Sequence, residues 1–168
     1  MKRILLFALA MTLLAALAVA EESGPYVFGS FELTVPGDVT VEAYENTRTV
    51  VRDQTRVVVQ VIPQELAEDG QAQVRELLTV YSERITDITD VPVISELFSA
   101  MGLIEDRFGE GVHEIPVLIL RDGELLILSG YNNDGDTLAV HTLLTELLTG
   151  VTLAGEAILP AAAAQIVD

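Results

Sequence analysis

The chain has 168 residues, about the length of one domain, with 26 Asp and Glu against 9 Lys and Arg and a formal net charge of −17. It contains no cysteine, which excludes disulfides, a thiol nucleophile, Cys-ligated zinc or iron–sulfur centres and lipid attachment through cysteine. The charge excludes a nucleic-acid binder, which would be repelled by the phosphates it must neutralise, and disfavours an anionic membrane surface.

Lys2 and Arg3, the former the only lysine, precede an apolar run over residues 4–18 that only Thr12 interrupts. Ala18-Val19-Ala20 then offers small residues at both positions read by a signal peptidase. This pattern predicts a secretory signal peptide over 1–20, cleaved after Ala20, and so an exported protein, periplasmic or secreted, with no membrane segment left after cleavage. The alternative, an uncleaved anchor, has a run somewhat short for a bilayer core of about 30 Å. Cleavage would leave seven arginines and no lysine against the same 26 acids, a net charge of −19. The acids are scattered and form no block, so their first role is solubility and their second the attraction of cations or basic partners. Half of all residues are apolar, enough for a core without disulfide staples.

Residues 21–30 read as a leader with little pattern. Phe31 to Val35 alternates apolar and polar, the period of a half-buried strand. Pro36-Gly37-Asp38 is a turn, and Val39, Val41 and Ala43 mark a second strand. Residues 47–52 and 56–62 are rich in β-branched side chains and flank Asp53-Gln54-Thr55, which predicts a hairpin. The period then changes. Val74, Leu77, Leu78, Tyr81 and Ile85 form one stripe of an amphipathic helix over 71–85. A short strand over 85–88 precedes a second helix, expected over 92–106 with Ile94, Leu97, Phe98, Met101 and Ile104 as its stripe. Asp90 would be its N-cap and Pro92 would lie in its first turn.

Residues 115–120 and 124–128 are apolar runs on either side of Arg121-Asp122-Gly123, a strong hairpin signal. Both runs are continuous, as in strands covered on both faces. The last helix is expected over 136–149, capped by Asp136, with Val140, Leu143, Leu144, Leu147 and Leu148 as its stripe and Gly150 as its stop. Together the segments predict an α/β fold: a three-layer sandwich with a mixed sheet and helices on both faces. One domain is expected over 31–150, with a C-terminal tail over 151–168.

The segment Glu114-Ile115-Pro116-Val117-Leu118-Ile119-Leu120-Arg121-Asp122-Gly123-Glu124, followed by Gly130 and a terminal helix, resembles the second half of a thioredoxin-like core. On that resemblance Pro116 would be the family's cis-proline, the N-terminal strands would be an extension, and Glu114, Ile115 and Pro116 would line a site for an extended peptide. The family's CxxC has no counterpart, since the corresponding region, residues 62–70, lacks cysteine. Thiol–disulfide exchange is therefore excluded, and the resemblance implies a redox-inactive binding or accessory module for an unidentified protein or peptide. A second resemblance competes: Phe31-Glu32-Leu33-Thr34-Val35-Pro36, then strands, a helix, more strands and a final helix, is similar to secreted PsbP/Mog1-like domains.

Other chemistry has less support. Tyr131 to Thr137 lacks the first and last ligands of an EF-hand, which leaves at most a low-affinity divalent-cation site at Asn132, Asp134 and Asp136. His113 beside Glu110 or Glu114 would be the base of a carboxylate- and histidine-dependent hydrolase. His141 borders a helical apolar stripe, where packed histidines are common. No phosphate-binding loop and no G-x-S-x-G is present, and the residues imply no cofactor and no metal centre.

Overall fold

The computed structural model describes residues 25–106 and 111–160. The expected signal peptide and cleavage site lie outside the described residues. The elements, in order, are β1 (Tyr26–Phe28), β2 (Phe31–Leu33), β3 (Thr40–Tyr44), β4 (Thr47–Arg52), β5 (Thr55–Gln64), α1 (Gly70–Tyr81), β6 (Ile85–Asp90), β7 (Phe98–Ile104), β8 (Glu114–Arg121), β9 (Gly123–Asn132), α2 (Thr137–Gly150), β10 (Val151–Leu153) and β11 (Glu156–Ala157).

The strands form a seven-stranded sheet in the order β3-β4-β5-β9-β8-β7-β6 and a four-stranded sheet in the order β1-β2-β10-β11. Every described pairing is antiparallel, which corrects the expectation of a mixed sheet. The reason lies in the connections. Two-residue turns join β4 to β5 and β8 to β9, and such turns permit only antiparallel neighbours. The crossover through α1 carries the chain from β5 to the far edge, so β5 and β6 are separated by three strands. The Asp122-Gly123 turn forms as expected, with Gly123 at φ 86°.

The helix expected over 92–106 is instead an irregular stretch followed by β7. Phe98 and Ala100 pack toward α1, whereas Met101 and Leu103 pack toward the opposite core. A strand buried on both faces presents apolar residues at every spacing, so a helical stripe can be read in it by coincidence. β7 satisfies the open side of β8, with Phe98 opposite Leu120 and Met101 opposite Val117. Pro116 lies within β8 and its peptide bond is trans, as are all the described bonds. It occupies extended backbone inside a strand, where the trans bond is the favoured form. The cis-proline implied by the thioredoxin-like resemblance is thus corrected.

Two helices form where the stripes predict them, though α1 stops at Tyr81. Asp69 caps α1 by accepting from the Ala72 N–H, and Asp136 caps α2 by accepting from the Ala139 N–H, both at 3.0 Å. The unpatterned leader contributes β1. Residues 151–159 are packed: β10 pairs with β2, and Ile158 is fully buried. Residues 161–168 of the expected tail lie outside the described residues.

Neighbouring residues of β8 and β9 serve different cores. Leu118, Leu120, Leu125 and Ile127 pack with Val74 and Leu78 of α1. Ile115, Val117, Leu126 and Leu128 pack with α2 and with Phe31 and Leu33 of the small sheet. The chain is α/β but mostly sheet. Each helix covers only part of the large sheet, and α2 shares its side with the four-stranded sheet, so the layers are not the even three of the sequence expectation.

Candidate functional site

The residues expected to bind do not share a surface. Glu114, Ile115 and Pro116 are all buried, and alternation along β8 points Glu114 and Pro116 to the α1 side and Ile115 to the α2 side. β8 lies between β9 and β7, so an extended peptide cannot pair along it.

Glu114, only 4% exposed, is held by side chains. The Tyr81 hydroxyl donates to its Oε1 at 2.6 Å, and the Ser129 hydroxyl donates to the same oxygen. Tyr81 is the last residue of α1, so this carboxylate ties the helix end to β8 and β9. Glu114→Ala is expected to lower stability by about 2 kcal/mol, because two hydroxyls lose their acceptor. Glu114→Gln is expected to lose less, since its amide oxygen still accepts. Urea unfolding of both variants checks this order.

The cation reading finds two of its three residues already engaged. Asn132 Oδ1 accepts from the N–H groups of Asp134 and Asp136 at 2.8 and 3.2 Å, and its amide donates to Thr55 at 2.8 Å. Asp136 caps α2. Among the described residues, no group of three or more His, Asp or Glu could hold a metal ion. For the hydrolase reading, His113 makes no hydrogen bond to a carboxylate among the described residues, and Glu110 lies outside them.

What the sequence did not indicate is a groove. α2 sits over β5 and β9, while β6 and β7 extend beyond it on the same side. The space between is two adjoining cavities of about 120 and 130 Å³, both lined by Thr89, Met101 and His141. The inner cavity is apolar, walled by Val117, Leu144, Leu148 and Leu159, with Val91-Pro92 at its border. The Ile94 N–H donates to the Ile158 carbonyl at 2.9 Å, which ties this border to the segment after α2. The outer cavity is more polar, with Asp87, Thr137 and His141 at its rim above Ile115 and Leu103. Two larger hollows, of about 440 and 480 Å³, are more open and more mixed in lining. An apolar recess with a few convergent polar groups is the better candidate for a ligand, here one the size of a side chain or short alkyl chain. Of the sequence candidates, Ile115 and His141 line this groove.

Asp90 also lines the inner cavity. Arg75 donates to its two oxygens at 2.8 Å each, and Gln71 donates to one at 2.7 Å. The hydrogen bonds from Arg75, above all, hold the Asp90 carboxyl below its usual value. A carboxyl lowered in the folded state stabilises the fold above its unfolded value of about 3.9. That contribution is lost as pH falls through the lower folded value. Both side chains are about half exposed, so the effect is small. Thermal melts of the wild type and Arg75→Gln are expected to differ slightly at neutral pH and to converge at strongly acid pH. A gap that widens on acidification would contradict this sign.

No known protein family and no curated protein matches the chain. Among solved structures, the chain is similar to a protein from Bacteroides thetaiotaomicron VPI-5482 whose crystal structure was determined at 1.50 Å resolution. The identity is 10% and the TM-score 0.46, over 80% of this chain and 50% of that one, so the chain spans about half that protein's length. Among the described residues, no helix is long and apolar enough to cross a membrane.

Proposed function

We propose that the protein is an exported, redox-inactive binding module whose ligand site is the groove between α2 and the β6–β7 edge. The N-terminal pattern supports export, and the lack of cysteine removes thiol chemistry. The single observation that carries the binding role is a partly enclosed apolar recess lined by Met101, Val117 and Leu144, with His141 and Thr89 beside it. Of the two family resemblances, the antiparallel sheet with a helix after β5 and another after β9 supports the PsbP/Mog1-like one.

Titration with 1-hexanol, followed by amide chemical shifts, tests the reading. Saturable shifts are expected at Met101, Val117, His141 and Leu144. They should vanish in Thr145→Trp, where an indole at the groove wall fills the space. Shifts that are scattered, do not saturate, or persist in that variant would overturn the groove as the site.

A further inference from the structure

The sequence Ile85-Thr86-Asp87-Ile88-Thr89-Asp90 repeats every three residues, which a regular strand of period two cannot accommodate with both isoleucines on one face. The structure resolves the conflict with a β-bulge. Ile85 pairs with Ile104, but it is Asp87 that pairs with Leu103, so one extra residue is inserted. As a result Ile85 and Ile88 both pack against the α1 core, and Asp87 and Thr89 both face the groove. Without the insertion Asp87 would lie opposite Gly102, on the α1 side. Bulges of this kind re-aim side chains and recur next to functional sites.

Asp87 is exposed at the mouth, and among the described residues no cation pairs with it. Asp90 also borders the groove, but it lies opposite Ala100 and turns its carboxylate to the α1 side, where Arg75 and Gln71 engage it. The groove therefore runs from an apolar end, at Leu144, Leu148 and Leu159, to a mouth carrying an unneutralised carboxylate beside Thr137 and His141.

We infer that the groove, on the reading proposed above, selects a small apolar cation: an alkyl chain enters the apolar end and an ammonium group meets Asp87. The chain length that fits is short, because the two cavities are small. The bulge makes this acid specific to the site, in contrast to the diffuse negative charge of the whole chain.

Hexylammonium, 1-hexanol and hexanoate, matched in alkyl length, form the test, read as dissociation constants from amide shifts at low and high salt. Hexylammonium is expected to bind about two- to fivefold more tightly than 1-hexanol, as one exposed ion pair would give, and hexanoate more weakly than either. Asp87→Asn should abolish the preference. Glu42→Gln, which makes the same charge change on the opposite edge strand β3, should leave it intact. Equal binding of hexanol and hexylammonium would overturn the cation selectivity while leaving the groove as the site. A preference that survives Asp87→Asn, or falls equally in Glu42→Gln, would overturn the role of Asp87. No saturable binding by any of the three would overturn the groove reading itself.

Discussion

Phe31→Ala is expected to cost the fold about 3–5 kcal/mol, the range for removing a fully buried aromatic side chain. Phe31 is 0% exposed although it belongs to a strand of only three residues. It lies opposite Leu153 on β10 and Phe28 on β1, within the same core as the apolar stripe of α2. A domain of this size has a total stability of about 5–15 kcal/mol, so the loss would be a large share of the whole. Val27→Ala, at the neighbouring position of β1, removes a side chain that is 69% exposed and should change stability by less than about 0.5 kcal/mol. Urea unfolding followed by far-ultraviolet circular dichroism measures both. A loss below about 1 kcal/mol for Phe31→Ala would mean that the four-stranded sheet lies outside the cooperative unit.

Gly150→Ala should produce the second large effect, about 1–3 kcal/mol of destabilisation and a Tm lower by several degrees. Gly150 is the last residue of α2, and a Cβ there would overlap the backbone carbonyl oxygen of Thr34. The obstacle cannot rotate away as a side chain would. It is also held in place, because the Thr34 N–H donates to the Gly150 carbonyl at 2.9 Å. Gly37→Ala is the control. Nothing lies within 4 Å of its added methyl, so the change should be neutral or slightly stabilising through the unfolded chain. Equal effects at the two glycines would remove the close approach of Thr34 as the cause.

The role of Gly150 also shows how much of the fold was legible beforehand. Its position after an apolar stripe marks a helix stop, and α2 does end there. That the same glycine receives another backbone is a tertiary fact with no local signal. Local chemistry was sufficient wherever it decides the outcome. Asp122-Gly123 and Asp53-Gln54 turn the chain, and the stripes of α1 and α2 have a buried face each. It failed for residues 92–106, because a strand buried on both sides leaves no periodicity to separate it from a helix. It also missed β1, β10 and β11. These are strands of two or three residues, too short to show a period; β1 and β11 pair with their chain neighbours, and the sheet is completed by the distant pairing of β10 with β2.

The candidate site was the least legible part. Glu114, Ile115 and Pro116 stand together in sequence but point to alternate faces of a buried strand. The groove, by contrast, draws on β6, β7, β8, α2 and Leu159. Only the three-residue repeat in β6 carried a trace of it. Read as a short strand, that repeat conflicts with a period of two, and the conflict is relieved by the bulge that turns Asp87 outward.

The pairing of β2 with β10 also constrains the order of assembly. Leu33 lies opposite Val151, so one of the first strands made completes its sheet with one of the last. Phe31 and Leu33 lack their β10 partners until nearly all the intervening chain is synthesised. The hairpins and the helix-covered strands can form earlier from local contacts. Docking of the end of α2 and β10 onto the hairpin of β1 and β2 completes the four-stranded sheet, and its large sequence separation makes it the step expected last in folding.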